Sequence, residues 1–354
     1  MFSHDPTRPH DASLAALRAD LAGLAIATDR EGPWRSGAFN RLAEHGLLAG
    51  FIASEDGGTG ATEPALLEAL MAVASACLTT ALVLTQWASA CRLLATGPAD
   101  LRDGLLPRLA RGEETATVGI AQLTTSRRHI GSPALRAVGR GTSWWLEGTC
   151  PWVTGADSSD SIVTGAVAAD GTPRFFIIPT SAAGLTISAP MPMLALSGSR
   201  TSSVAFDGVE PRAEIISSSA SPARAGGLAT SALAIGSTRA SIALIAHEAA
   251  ARPALEPVAT SFRHEADALA ARLGWLAGEE IPDPAARDAL RTAANSLVVR
   301  AAQAALTATK GAGFIAGHPA ERGIRESMLF LVWSCPQQVA SAVICDLAHL
   351  DAPA

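Results

Sequence analysis

Tyrosine is absent from this 354-residue chain, so no phenol can serve as a catalytic acid or base. Charge is sparse: Asp, Glu, Lys and Arg make up 17% of residues, and the formal net charge is −6 at pH 7. The longest basic run, Arg127-Arg128-His129, is too short to track a phosphate backbone, which excludes a nucleic-acid partner. There are five cysteines, Cys77, Cys91, Cys150, Cys335 and Cys345, an odd number without C-x-x-C spacing. Neither a disulfide framework nor a zinc knuckle follows, and a cytoplasmic location is expected. The start, MFSHDPTRPHDASLAAL, lacks the basic residues and apolar run of a signal peptide. No Gly-x-Ser-x-Gly elbow and no P-loop occur. His247-Glu248 and His264-Glu265 begin like zinc-protease helices, but Ala251 and Ala268 stand where the second histidine is needed, so no metal site is expected.

Apolar residues are plentiful, at 48%, enough for one large core or several smaller ones. From about 11 to 115 they recur at three and four, as in Leu14, Leu17, Leu21 and Leu24, which predicts helices. Ala69 to Cys91 carries no formal charge and is long enough to span a bilayer. Thr79, Thr80, Thr85 and Gln86 interrupt it, and two buried helices joined near Leu78-Thr79-Thr80 are the better reading; no membrane association is expected. From about 116 to 215 short Val, Ile and Phe runs (SIVTGAV, RFFIIP, LTISAP, SSVAFDGV) alternate with Gly, Pro and Asp-Gly turns, as in a small antiparallel barrel or sandwich. SSSASPARAGG, Ser217 to Gly227, reads as a linker, and alanine-rich segments beyond it, broken at prolines, read as a helical bundle.

Within the strand-rich part, Trp152, Val153 and Thr154 lie side by side between a turn at Gly148 and one at Gly155-Ala156-Asp157. An indole can cover a flat ring and a hydroxyl can donate to a ring nitrogen, so the stretch suits a flavin seat; alone, a Trp in a strand is more often core. GAGFIAG, Gly311 to Gly317, resembles a dinucleotide fingerprint but follows a helical segment, VVRAAQAALTATK, which favours a helix-ending glycine turn.

The order of several segments resembles the acyl-CoA dehydrogenase family across nearly all of the chain: GLLAGFIASEDGGTGAT, LPRLARGEETATVGIAQLT, the Trp152-Val153-Thr154 stretch, LALSGSRTSSVAFDGVEP and KGAGFIAGHPAERGIRES. The resemblance implies an α+β multidomain fold with an N-terminal α-helical domain (1–115), a middle β-barrel domain (116–216) and a C-terminal four-helix bundle (217–354). It implies bound FAD, with Trp152 over the ring, Thr154 and Thr124 at its edge, and a site completed across subunits of a homo-oligomer. Arg252 resembles the family's pyrophosphate arginine, although Leu255-Glu256 replaces Phe-Gly and the spacing is one residue short. Gly311 and Gly313 fall in the family's glycine turn, which contacts the dinucleotide from a neighbouring subunit; Lys310 replaces its first glycine. Ser132 matches a serine that meets the CoA arm, in a loop carrying the extra basic residues at 127–129.

One family feature is missing. The carboxylate that removes the α-proton lies nine residues after the Arg of the Arg-acid pair, and counting from Arg325-Glu326 gives Ser334, which is far too weak a base near neutral pH. Glu326 itself is about 12 Å away if the intervening eight residues are helical. The start of the first C-terminal helix, RAGGLATSALAIGSTRAS, offers no acid either, and Cys335 reads better as a buried structural thiol than as a nucleophile. Three readings stay open: an oxidoreductase acting on an acyl thioester or similar acyl substrate, with electron-transfer flavoprotein as a possible acceptor; a flavin monooxygenase or oxidase of the same fold; and a non-catalytic subunit paired with a base-bearing one.

Overall fold

Leucines at three- and four-residue spacing put Leu17, Leu21 and Ala25 on one face of the first helix, α1 (Asp11–Arg30), and all three are buried. The computed structural model describes residues 11–30, 37–124, 133–141, 143–215, 227–280, 283–333 and 337–348. Five more helices follow: α2 (Ala38–Glu44), α3 (Leu47–Gly50), α4 (Glu63–Ala76), α5 (Leu78–Leu94) and α6 (Ala99–Ala110). The uncharged 69–91 segment is two helices, as its hydroxyls suggested. The chain breaks at Cys77, which is extended at φ −152°, ψ 103°. Two of the buried hydroxyls there are satisfied locally: Thr85 Oγ1 donates to the Leu82 carbonyl at 2.7 Å, and Thr80 Oγ1 to Cys77 Sγ at 3.1 Å, whereas Thr79 Oγ1 finds no partner.

Eight strands then form one sheet: β1 (Ala116–Gly119), β2 (Leu135–Arg140), β3 (Ser143–Val153), β4 (Ser161–Ala168), β5 (Pro173–Pro179), β6 (Leu185–Ile187), β7 (Ser202–Val209) and β8 (Ala213–Ile215), with α7 (Ala121–Thr124) after β1. The order is β6-β7-β3-β2-β4-β5-β8, and β1 pairs β4. The sheet curls around its own core, which includes Leu135, Leu146, Val153, Ile162, Phe176 and Val204. Two expectations change. Most pairings are antiparallel, but β1 and β2 both lie parallel to β4, at Ser161–Thr164 and Val167–Ala168. Gly148 is not a turn: it sits inside β3 at φ +126°, where a Cβ would collide with the Ala134 carbonyl at the start of the neighbouring strand β2.

The C-terminal helices are α8 (Leu228–Ala249), α9 (Glu256–Gly278), α10 (Pro284–Thr309), α11 (Pro319–Ser327), α12 (Leu329–Val332) and α13 (Gln337–Leu347). α8 packs against α4, α9 and α10, and one continuous core, including Leu84, Leu233 and Leu297, joins the helices before the sheet to those after it. Among the described helices α8 alone is long and apolar enough to cross a membrane, and two-thirds of its most apolar stretch is buried inside the protein.

Candidate functional site

The end of β3 turns its side chains in opposite directions. Val153 enters the sheet core, whereas Trp152 is 49% exposed, which removes the ordinary reading of that tryptophan as core. Thr154 is buried, and its hydroxyl lies 3.1 Å from Thr201 Oγ1, which lies 2.9 Å from Ser199 Oγ. The backbone is anchored on both sides: Thr117 Oγ1 donates to the Thr154 carbonyl at 2.7 Å, and the Gly155 amide to the Ser199 carbonyl at 2.9 Å. A row of three hydroxyls can rotate its O–H bonds together, so Thr154 can turn a donor towards a ligand while staying hydrogen-bonded.

The other side of this row is a strained loop. Leu196 (φ 64°) and Arg200 (φ 50°) both lie in the left-handed region, and Arg200 pairs with Asp157 on the turn after β3. Gly198 rests directly on the Thr28 carbonyl at the end of α1, leaving no room for a Cβ.

Gln122, on α7, is a residue that sequence reasoning missed. Its Nε2 donates to the Gly165 carbonyl at 2.7 Å and the Gly119 carbonyl at 3.2 Å, and its Oε1 accepts from Cys150 Sγ at 3.0 Å. It thereby fixes α7, which ends at Thr124, to β3 and β4. The Thr124 side chain, Ser132 and the basic triplet at 127–129 lie outside the described residues. So do Ser334 and Cys335, but the chain leading to them is held from below: buried Asn295 and Arg291 on α10 donate to the carbonyls of Phe330 (2.7 Å) and Trp333 (3.0 Å).

Arg252 and the glycine turn come together. Arg252 donates to Glu248 Oε2 at 2.5 Å and to the Ala308 carbonyl, one residue before the end of α10. The next residues, Lys310–Phe314, form the expected helix-ending turn as a 3-10 segment. Gly313 is wedged against Thr309 Oγ1, whereas Gly311 faces open space. The left-handed position falls on Lys310, at φ 54°, ψ −145°, a conformation glycine adopts freely and lysine adopts at a cost of about 1–3 kcal/mol.

Glu326 is not placed as the helical count assumed. α11 ends at Ser327, α12 is one turn long, and Trp333 is extended, so no continuous helix links Glu326 to position 334. Its carboxyl is buried, 3.7 Å from Arg322 Nε, and lines a cavity of about 320 Å³ between α1, α4, α8, α10 and α11. Burial is the main cause that pushes its pKa up to about 7, with Arg322 opposing. Neighbouring Arg325 is held by Asp29 (2.7 Å) and Glu321 (2.5 Å).

The architecture has close counterparts. The structure of glutaryl-coenzyme A dehydrogenase in its glutaryl-CoA complex superposes with a TM-score of 0.84 at 18% identity, covering 99% of this chain and 98% of that one. The chain has the acyl-CoA dehydrogenase fold. Residues 12–113 match the model of the acyl-CoA dehydrogenase N-terminal domain. Probable acyl-CoA dehydrogenase YngJ of Bacillus subtilis (strain 168) is 22% identical over 358 aligned positions, 92% of this chain and 93% of that protein. A glutaryl-CoA dehydrogenase from Mycobacterium smegmatis in complex with FADH2 has a TM-score of 0.78 at 17% identity, covering 99% of this chain and 100% of that one. KijD3, solved with FMN and a dTDP-amino-ketosugar, has a TM-score of 0.75 at 20% identity, covering 97% and 94%. The family resemblance seen in the sequence is therefore met by a family model, a curated relative and solved structures. The acyl-CoA dehydrogenase fold also accommodates a ligand that is not an acyl thioester, as KijD3 illustrates.

Proposed function

We propose that this chain is an FAD-dependent oxidoreductase acting on an acyl thioester or a similar acyl substrate. The observation that carries the reading is the half-exposed Trp152 beside the hydroxyl row of Thr154, Thr201 and Ser199, in a chain of acyl-CoA dehydrogenase fold. This donor set fits a flavin: a flat indole face stands free, and next to it a buried hydroxyl can donate without leaving another polar group unpaired. Trp152 would cover the ring and Thr154, with Thr124, would hydrogen-bond its edge. Arg252, Gly311 and Gly313 would meet the dinucleotide of a second copy, which makes a homo-oligomer the working assembly. Bound FAD would supply a two-electron acceptor.

The sequence at Ser334 favours a second reading. With serine where a carboxylate is needed, proton removal next to a thioester carbonyl has no base at that position. A flavin monooxygenase, or an oxidase acting on N, S or activated carbon, does not require that carboxylate, and neither does a subunit paired with a base-bearing partner.

Spectra separate these readings. The purified protein, incubated with FAD and desalted, should keep a visible flavin band, and retention of no flavin would sink both enzymatic readings. Anaerobic bleaching by acyl-CoAs would support the dehydrogenase; oxygen uptake with a supplied reductase and no bleaching would support the monooxygenase. Ser334→Glu should gain acyl-CoA bleaching, and a flavin-loaded variant that stays unbleached would count against this residue as the base position. Trp152→Ala should weaken FAD binding by tenfold or more while the melting temperature of the flavin-free protein barely moves, because the indole is not part of the core.

A further inference from the structure

The cavity of about 320 Å³ between α1, α4, α8, α10 and α11 takes no part in the flavin reading, since neither Trp152 nor the hydroxyl row borders it. It opens beside Ile26 and Pro319, both exposed, and ends at the buried side chains of Ala74, Val298 and Ala302. The space exists because alanines face it from every one of these helices, and its only polar side chains are three serines, Arg322 and Glu326. Ser75 and Ser241 donate to carbonyls of their own helices. Ser237 Oγ is buried without a partner. Among the described residues the Arg322 guanidinium makes no hydrogen bond, and the nearest acid, Glu326, is 3.7 Å away. An apolar cavity whose wall carries an unsatisfied guanidinium, a carboxyl and a spare hydroxyl has the composition of a ligand site.

The geometry points to a site for a short aliphatic monocarboxylate, its carboxylate forked by Arg322 and hydrogen-bonded by the Glu326 carboxyl, its tail along the alanine walls. Charge decides against a cation. Arg322 and Glu326 are the only charged side chains in the lining, so with Glu326 protonated the cavity carries one positive charge that nothing neutralises. Burial keeps Glu326 protonated up to about pH 7. The groups that face it are Arg322, Arg325 and Glu321 on α11, Asp29 on α1 and the Cys77 thiol between α4 and α5; α8 and α10 bring no titratable group to the cavity. Arg325 is taken by Asp29 and Glu321, which leaves Arg322 for a ligand. A neutral carboxyl donates one hydrogen bond, and a carboxylate ligand is the acceptor that uses it.

Calorimetric titration of the full chain with hexanoate, hexylamine and hexanol at pH 6 and pH 8 tests this. At pH 6 hexanoate should bind about tenfold or more tightly than the other two, through the charge-assisted contact they lack. At pH 8 it should bind about tenfold more weakly, as protonated Glu326 becomes the minority form. Arg322→Gln should weaken hexanoate binding by about tenfold or more. Glu326→Gln, whose amide still donates, should bind hexanoate equally at both pH values, a result that loss of structure could not produce. Ala240→Leu, at a half-buried wall position, should block the cavity and abolish binding while the circular dichroism spectrum stays unchanged. Hexylamine or hexanol binding as tightly as hexanoate would overturn the inference, and so would the absence of hexanoate binding at pH 6. Hexanoate binding that survives both Arg322→Gln and Ala240→Leu would put the ligand in another pocket and overturn it too. None of these outcomes bears on FAD retention, which tests the flavin reading separately.

Discussion

Gly236→Val should destabilise the protein by about 3 kcal/mol or more, seen as a fall in melting temperature or urea midpoint. Gly236 lies in the middle of α8 where that helix touches α4. A Cβ there would fall inside contact distance of the Met71 carbonyl oxygen, 2.8 Å from Ala74 Cβ and 3.0 Å from Met71 Cα. Two of these three neighbours are backbone atoms, so no rotamer change relieves the clash and one helix must move. α8 has little room to move, being packed on α9 and α10 as well, in the core that joins the two helical parts of the chain. Gly274 provides the contrast. It is exposed inside α9 with no atom within 4 Å of an added Cβ, so Gly274→Ala should stabilise by about 0.5–1 kcal/mol through helix propensity alone. If both substitutions shifted stability alike, the close approach of α4 and α8 would not be a determinant of the fold.

The same contrast between local and distant causes separates what the sequence disclosed from what it concealed. Helices α1, α4 and α5 and strands β4, β5 and β7 are written in local periodicity and in turn residues, and the structure has them close to where the pattern put them. Trp152 and Thr154 were legible because an aromatic, a β-branched residue and a hydroxyl stood together at a strand end. The partners that give Thr154 its setting were not: Thr201 is 47 residues away and Thr117 is 37. Gln122 braces residues 28 and 43 positions downstream, and Arg325 meets Asp29 across 296. No periodicity encodes such pairings. The turn assigned to Gly148 shows the complementary error: glycine signalled a positive φ, but the cause was the close approach of the paired strand β2 at Ala134, which the local sequence could not reveal. Glu326 entered the sequence argument as a marker for counting and as a base out of reach of position 334; its burial did not enter, because the cavity it lines is formed by α1, α4, α8 and α10 from elsewhere along the chain.

That burial has the second large consequence, a stability that falls as pH rises through the slightly acidic range. The carboxyls of Glu326, Glu321 and Asp29 and the guanidinia of Arg322 and Arg325 form one cluster between α11 and α1, with three acids against two bases. Arg325 is occupied by Asp29 and Glu321, and Arg322 stands 3.7 Å from Glu326, too far for a good hydrogen bond. The thiol of Cys77, close by, is itself pushed up by burial and adds no compensating charge. Glu326 therefore holds its proton in the folded state up to about pH 7, against an ordinary value of 4.5. Between those values the folded chain binds a proton that the unfolded chain has lost, so stability declines across that window and levels off above it. At 1.36 kcal/mol per pKa unit, the decline is about 3 kcal/mol at most. Glu326→Gln cannot ionise. The difference in unfolding free energy between variant and wild type should grow in the variant's favour from pH 5 to pH 7.5 and stay constant at higher pH. Taking the difference cancels the other groups that titrate in this range, including the histidines. Parallel pH profiles for the two proteins would show that Glu326 is ionised in the folded state throughout, and that Arg322 outweighs its burial.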